Sequence, residues 1–233
     1  CLSMAGPLPR RVFLRRKWSD KPEIPHGEPQ RQVPWGGMRE IIVTEMLSLD
    51  GVIEAPGGET GYRNAGWTFN DVEFDPAAYE LKGTEQEEAG ALLLGRKSYE
   101  AFAPIWPSRE EFAGYNAMPR FVVSTTLEGD DERWPATILR SLDEVKALKT
   151  GQSCTDFDRD FDGPLLVHGS ATLVRALQEA GLIDKYYLLV FPLLLGAGTR
   201  MFSDVSLHTQ HLELEEHARY SNGIQKMIYR VKK

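Results

Sequence analysis

Two short segments of the chain place a glycine and hydroxyl-bearing residues between an apolar run and a helical pattern. They are Gly95–Ser98 and Gly169–Thr172. The first amides of a helix have no acceptor within the helix and point outward, and a glycine allows close approach of a ligand. Each segment therefore has the features of a phosphate cradle at a helix N-terminus.

Positive charge and further hydroxyl groups accompany the first cradle. Arg96 and Lys97 follow its glycine, and Ser124 and Thr125 come directly after another apolar run. Two phosphate cradles beside a basic residue suit a dinucleotide with a 2′-phosphate, which favours NADPH over NADH. Glycine turns before helices are also common in other α/β proteins, and no G-x-G-x-x-G fingerprint accompanies these two. The spacing predicts a nucleotide site outside the usual dinucleotide motif.

Apolar runs and helical patterns alternate from Met38 onward, as in a parallel α/β protein. Near the C-terminus Asn222-Gly223 separates two alternating runs, which is typical of a β-hairpin. We therefore predict a mainly parallel central sheet with a C-terminal antiparallel hairpin, whose polar turns meet at the carboxyl edge of the parallel strands. The predicted parallel strands are Arg39–Leu47, Ala91–Leu94, Phe121–Val123, Thr137–Leu139, Leu165–His168 and Tyr186–Leu195.

The charge distribution divides the chain of 233 residues at Met38. Residues 1–37 carry seven Lys or Arg, three Asp or Glu and six of the fourteen prolines, and they lack apolar periodicity. We predict a disordered basic extension over 1–37 and one folded domain over 38–233. The net charge of the folded part is negative, which argues against nucleic acid as a partner.

The remaining composition is that of an ordinary globular protein. Hydrophobic residues make up 42% of the chain, yet no apolar stretch reaches the length of about 20 residues that spans a bilayer. Cys1 and Cys154 are the two cysteines of the sequence and fit a reducing compartment. These features predict a cytoplasmic protein that does not interact with membranes.

Several segments together resemble one protein family. The matching segments are Ser48–Gly51 (SLDG), Leu92–Glu100, Phe121–Leu127 and Leu165–Phe202. They are similar to dihydrofolate-reductase-like proteins of the type found in the reductase domain of the bifunctional riboflavin-biosynthesis enzyme, the RibD C-terminal domain. The resemblance covers the chain from Met38 to its end and implies the three-layer dihydrofolate-reductase-like fold. It also implies an NADPH-dependent oxidoreductase.

The resemblance assigns roles to individual residues. It implies that a dinucleotide lies along the carboxyl edge of the sheet and that a loop closes over its nicotinamide. Asp50 lies in that loop. The resemblance implies that the pyrophosphate contacts Gly95, Lys97 and Ser98, and that the 2′-phosphate contacts Arg96, Ser124 and Thr125. It implies a second phosphate cradle formed by Gly169, Ser170, Ala171 and Thr172. Gly196 and Gly198 would border the nicotinamide and the substrate.

Asp50 is the carboxyl group that we expect to orient or protonate the substrate. A purely turn-forming role is equally compatible with its Asp-Gly sequence. Glu54 is a weaker candidate for substrate binding, as are Asp71 and Glu80. Trp67 could stack on a flat heterocycle, although a tryptophan of this kind more often belongs to a core.

The reaction implied by the resemblance is hydride transfer from NADPH to a C=N or C=O carbon of a small heterocyclic or sugar-linked substrate. The relative in riboflavin biosynthesis is 5-amino-6-(5-phosphoribosylamino)uracil reductase. His168 and Ser170 depart from the small residue and the second glycine that are common in such reductases. Two alternatives stay open, namely dihydrofolate reduction and a nucleotide-binding module without catalysis. No zinc-deaminase signature accompanies the reductase-like segments.

Three further patterns concern metal binding and assembly. Asp158–Gly163 begins like a calcium loop, but glycine occupies the position of the essential glutamate, and the histidines at 208, 211 and 217 lack a further ligand. We therefore predict no metal site. The apolar run Tyr186–Leu195 predicts an exposed strand that extends the sheet across a homodimer.

Overall fold

The structure, a computed structural model, describes residues 38–151, 161–202 and 209–233. The predicted extension over 1–37, the first half of the calcium-like segment (158–160) and His208 lie outside the described residues. The prediction that 1–37 forms a separate disordered segment therefore stays a prediction.

The described residues form one mixed sheet of eight strands in the order β4-β3-β2-β5-β1-β6-β8-β7. The neighbours from β4 to β6 are parallel, whereas β8 is antiparallel to both β6 and β7. The predicted fold class, with a mainly parallel sheet and a C-terminal antiparallel hairpin, is confirmed. The strands are β1 Ile41–Ser48, β2 Ala91–Gly95, β3 Arg120–Val123, β4 Thr137–Leu139, β5 Leu165–His168, β6 Lys185–Phe191, β7 Leu212–Arg219 and β8 Gln225–Val231.

Two of the described helical segments begin at a side-chain cap. Ser141 caps the fifth helix by accepting a hydrogen bond from the Glu144 amide, and Asp75 caps the 3-10 turn Pro76–Tyr79 that precedes the second. Within the three described ranges, no helix combines the length and apolarity needed to cross a membrane. The helices are α1 Trp67–Asn70, α2 Glu80–Glu88, α3 Arg96–Phe102, α4 Ala113–Ala117, α5 Leu142–Thr150 and α6 Ala171–Glu179.

Both faces of the sheet are buried, which produces three layers. Alternate residues of a strand point to opposite faces, so Val43 and Leu47 pack against α6 and Ile42 packs on the side of α2 and α3. A central strand covered on both faces must be apolar along its whole length, which explains the nearly unbroken apolar run of β1. Any polar residue in this run therefore lies inside the protein.

The prediction for the Tyr186–Leu195 run was wrong in its position. β6 is an interior strand between β1 and β8, and the chain leaves the sheet after Phe191. An interior strand has no unpaired edge with which to extend a sheet. The homodimer itself stays a prediction, without this strand as its basis.

Candidate active site at the carboxyl edge of the sheet

The two predicted phosphate cradles are in direct contact. β2 and β5 are adjacent and parallel, so the turns that follow them lie side by side. The Gly95 amide donates to Ser170 Oγ over 2.9 Å, and the Ser170 amide donates to Ser98 Oγ over 2.8 Å. These two hydrogen bonds join the N-termini of α3 and α6 into one surface, which we call the double cradle and which comprises Gly95–Ser98 and Gly169–Thr172.

The backbone of the second turn explains its residue types. Gly169 and Ser170 have φ angles of +64° and +68°, in the left-handed region. A Cβ on Gly169 would lie 2.9 Å from Ser98 Oγ, so this position requires glycine for both conformation and space. Serine tolerates the left-handed region less well, but its amide and hydroxyl are both held by the first cradle. These hydrogen bonds hold Ser170 in its left-handed conformation.

The residues predicted for the 2′-phosphate have different environments. Arg96 is 44% exposed in its side chain and lies 3.8 Å from Glu100, one turn along α3. Thr125 is exposed, and so is Lys97, which is assigned to the pyrophosphate. Ser124, in contrast, is buried, and its hydroxyl accepts the amides of Thr126 and Leu127. Its hydroxyl therefore shapes the turn after β3.

Arg140 is a residue of this edge that the sequence reasoning missed. It follows β4, and its Nη1 donates to the carbonyl oxygens of Ser124 and Leu127 over 3.0 and 2.7 Å. Its guanidinium group thus lies against the turn after β3, beside which Arg96 begins α3. A basic residue directly after a predicted edge strand was the available signal.

β1 and β5 separate at the carboxyl edge. Their pairing ends at Thr44 and His168, whereas β1 continues beside β6 as far as Ser48. From Glu45 to Ser48 the strand therefore has a strand neighbour on one side only. We call this opening the fork; it lies between Glu45–Ser48 and the turn that starts at Gly169.

Glu45 is the first residue of β1 beyond the last β1–β5 pair, and it is 3% exposed. Its Oε1 is buried and has no hydrogen-bond partner among the described residues. Burial raises the pKa of Glu45 to about 8, although the charge of Lys82 acts in the opposite direction. Burial thus favours the protonated, neutral form of this carboxyl group, and sequence reasoning missed it because it lies within an apolar strand.

His168 lies on the other face of the sheet, at the end of β5. Its ring contacts Phe102, Trp106 and Tyr115 edge to face, with centroid distances of 5.6, 5.2 and 5.7 Å. Its Nδ1 is buried without a partner in the described part of the chain. Burial, and secondarily the charge of Lys82, holds the pKa of His168 well below its usual value, so the imidazole is neutral.

A buried polar cluster lies beside His168 on the α2 face. Lys82 donates to Thr44 Oγ1 over 2.5 Å and to Glu85 over 3.1 Å. The hydroxyls of Thr44 and Tyr115 also donate to Glu85, which is 1% exposed. Each carboxylate oxygen of Glu85 thus has a donor, and the cluster is internally satisfied.

Asp50 is an acceptor within a loop junction. Its carboxylate accepts from Ser48 Oγ, from the amides of Leu195 and Gly196, and from Arg200 Nη2. The Ser48 hydrogen bond, together with the two amides, lowers the pKa of Asp50 to about 2. Asp50 is consequently ionised and cannot supply a proton at neutral pH, which corrects the expectation that it protonates the substrate.

Glu54 belongs to the same junction. Its Oε2 accepts from the Thr199 amide over 2.7 Å and from the Thr199 hydroxyl over 3.1 Å. A Cβ on Gly198 would lie 2.8 Å from Val52, so glycine permits the two loops to approach. Gly196, which was predicted to border the nicotinamide and substrate, donates its amide hydrogen to Asp50. These bonds hold the loop after β1 against the loop after β6.

Trp67 is 0% exposed and packs edge to face against Phe191 at 5.1 Å. Its indole nitrogen donates to the Glu54 carbonyl. Because both ring faces are covered, the proposed stacking on a substrate is wrong for this conformation, and the alternative of a core tryptophan is confirmed.

The fold has relatives among solved structures. A putative riboflavin biosynthesis protein from Shewanella sp. PV-4 is 18% identical, with a TM-score of 0.65 over 83% of this chain and 99% of its own. A dihydrofolate reductase from Enterococcus faecalis in complex with NADP(H) is 13% identical, with a TM-score of 0.55 over 85% of this chain and 99% of its own. At these identities the likeness establishes the fold.

Sequence comparison also finds relatives over most of the chain. An uncharacterized protein, YyaP, from Bacillus subtilis (strain 168) is 24% identical over 198 residues, which are 82% of this chain and 94% of YyaP. The RibD C-terminal domain family matches residues 39–226, a range that includes both cradles and the fork. Because this match covers most of the chain, the chain belongs to the RibD C-terminal domain family.

Proposed function

We propose that the protein is an NADPH-dependent reductase that transfers hydride to a C=N or C=O carbon of a small heterocyclic or sugar-linked substrate. Membership of the RibD C-terminal domain family supports a reductase of the RibD and dihydrofolate-reductase-like kind. The observation that carries the cofactor assignment is the double cradle, in which two helix N-termini are joined by reciprocal Ser170 and Gly95–Ser98 hydrogen bonds.

The double cradle fits a pyrophosphate. The first-turn amides of α6 have no acceptor within the helix and carry the positive end of its dipole, and those of α3 are oriented in the same way. Gly169 leaves room at the centre, because any larger residue would collide with Ser98. A doubly charged linker would therefore find several donors in a small area.

The order of the strands supports one orientation of the dinucleotide, with its 2′-phosphate end and its nicotinamide end on opposite sides of the double cradle. Arg96, Thr125 and Arg140 lie on the β2–β3–β4 side of the double cradle, where cationic groups suit a 2′-phosphate. The opposite direction leads past β5 to β1, about 14 Å from β3 at the usual strand spacing. The nicotinamide end therefore belongs at the fork.

Bound NADPH supplies the hydride, and the chain's own residues bind, orient and exclude water. The junction of Asp50 and Glu54 with the loop after β6 closes one side of the fork. On the other side, the aromatic rings around His168 form an apolar wall next to the double cradle. The proposed substrates include flat heterocycles such as 5-amino-6-(5-phosphoribosylamino)uracil, the substrate of the reductase that the chain resembles.

Dihydrofolate reduction is less well supported. Such a reductase needs a carboxylate on its first long helix that is available to the pteridine. Glu85 of α2 faces the sheet, but Lys82, Thr44 and Tyr115 already occupy its oxygens. A folate would have to displace these partners from a buried site.

Thermal denaturation with NADPH and NADH tests the proposal. Ligand at about 100 times its dissociation constant adds about 2.7 kcal/mol to the free energy of unfolding. We expect a larger rise in melting temperature with NADPH than with NADH, and loss of the difference in Arg96→Ala and Arg140→Ala. Arg219→Ala, at the exposed end of β7, is the matched control that keeps the preference. Equal or absent shifts with both cofactors would overturn the proposal.

A further inference from the structure

Three of the four buried polar atoms without a partner in the described part of the chain belong to residues on the α6 side of the sheet. They are Glu45 Oε1, Gln178 Oε1 and Tyr186 OH. An unsatisfied buried polar atom costs about 1–3 kcal/mol, so each calls for an explanation. Of the three, Glu45 lies at the fork, one residue beyond the end of the β1–β5 pairing.

The position of Glu45 follows from strand geometry. Thr44 pairs with His168, and the next residue of β5's chain, Gly169, turns away into the second cradle. Glu45 points to the same face as Val43 and Leu47, the face that α6 covers. Glu45 therefore lies at the fork, one residue beyond the pair whose β5 partner leads into the second cradle.

We propose that the Glu45 side chain recognises the nicotinamide end of the bound cofactor at the fork, by donating a hydrogen bond to it. This inference rests on the proposed NADPH-dependent function and on the strand order that directs the nicotinamide end towards β1. It explains why a carboxyl group without a partner is kept inside an otherwise apolar strand. A donor at this position completes its hydrogen bonding when an amide or carbonyl acceptor enters the fork.

The contact would make cofactor affinity depend on pH. The charged and titratable groups on the elements around Glu45 are Lys82 and Glu85 of α2, His168 of β5, Arg175 of α6 and Tyr186 of β6, together with Arg200 of the following loop. The pKa of His168 lies well below its usual value and that of Tyr186 well above. Neither therefore titrates in the range around the Glu45 pKa of about 8.

Two ligands separate this contact from cofactor binding as such. NADPH carries the nicotinamide end, whereas 2′,5′-ADP carries the 2′-phosphate end alone. Isothermal titration of the full chain measures both dissociation constants for the wild type, Glu45→Leu and Glu45→Gln. Tyr186→Phe is the matched control, because it removes another unpartnered buried group on the same face but away from the fork.

We expect Glu45→Leu to weaken NADPH binding about tenfold, the value of one net hydrogen bond, and to leave 2′,5′-ADP within about twofold. Glu45→Gln retains a donor and should bind NADPH within about threefold of the wild type. In the wild type, NADPH affinity should fall as the pH rises above about 8, while 2′,5′-ADP affinity and the Glu45→Gln variant show no such fall. Tyr186→Phe should match the wild type.

The outcomes against the inference are distinct from those against the proposed function. If the wild type binds neither NADPH nor 2′,5′-ADP, both proposals are overturned. If it binds both ligands and Glu45→Leu weakens them equally or not at all, NADPH binding stands and the Glu45 contact is wrong. Should Glu45→Leu fail to fold, an identical pH dependence in the wild type and Glu45→Gln would overturn the contact.

Discussion

Two buried carboxyl groups on opposite faces of the sheet near β1 differ in their hydrogen bonding. On the α2 face Glu85 receives hydrogen bonds from Lys82, Thr44 and Tyr115. On the α6 face Glu45 is almost equally buried, yet its Oε1 has no partner among the described residues. Burial alone therefore does not show whether an acidic side chain has a structural role or binds a ligand. A satisfied carboxylate holds the structure together, whereas an unsatisfied carboxyl group is available to a ligand.

The largest expected effect comes from breaking the satisfied side. Lys82→Met removes the cation that contacts Glu85 and leaves a buried carboxylate without a compensating charge. We expect the free energy of unfolding to fall by about 3–5 kcal/mol, measured by urea denaturation. The double variant Lys82→Met/Glu85→Gln is the control, because it removes both charges and should cost clearly less. A Lys82→Met protein as stable as the wild type would contradict the assignment of a buried ion pair.

The pH dependence of stability probes the unsatisfied side. The pKa of Glu45 is raised from 4.5 to about 8 on folding. Between these values the unfolded chain loses the proton and the folded chain keeps it, so the unfolding free energy falls as the pH rises, by about 1.4 kcal/mol per pH unit from this group. Glu45→Gln should remove this contribution and gain stability relative to the wild type with increasing pH. Parallel stability curves for the two proteins would show that Glu45 is ionised in the folded state.

A pair of Tyr→Phe substitutions gives the smallest and sharpest contrast. Tyr115 donates its hydroxyl hydrogen to Glu85, so Tyr115→Phe should cost about 1–2 kcal/mol of unfolding free energy. The Tyr186 hydroxyl is buried without a partner in the described chain, so Tyr186→Phe should be neutral or slightly stabilising. Both are measured by urea denaturation. Equal losses would mean that the two faces do not differ in hydrogen bonding.

Asp50 and Glu45 lie five residues apart, and their environments show why the expectation that Asp50 supplies a proton could not be judged from the sequence. Asp50 lies in a loop beside a glycine, in a segment that resembles a known family. For these reasons the sequence favoured Asp50 as the catalytic carboxyl group. In the folded chain the amides of Leu195 and Gly196 reach it from a loop 145 residues away. Those donors lower its pKa, and no local pattern around Asp50 indicates that they are there.

Much of the double cradle, in contrast, could be predicted. The glycines, the hydroxyl residues and the helix starts are local signals, and the rule that parallel strands end at one edge brings the turns together. What the rule does not supply is the neighbour relation of β2 and β5, from which the Gly95–Ser170 and Ser98–Ser170 hydrogen bonds follow. Arg140 was missed for a similar reason, because only the pairing of β3 with β4 brings it to the turn after β3.

Local signals in the sequence predicted the positions of the strands, the final hairpin and the family, because apolar periodicity and glycine turns act over a few neighbouring positions, although β6 ends at Phe191 and not at Leu195. Which polar groups are satisfied depends on contacts that form only in the folded chain. Asp50, Glu54 and Glu85 have internal partners, Trp67 is covered, and Glu45 and His168 each keep a buried polar atom that has no partner among the described residues. The physical reason is that a hydrogen bond or a pKa shift depends on groups that are close in space, and these groups lie far apart in the chain.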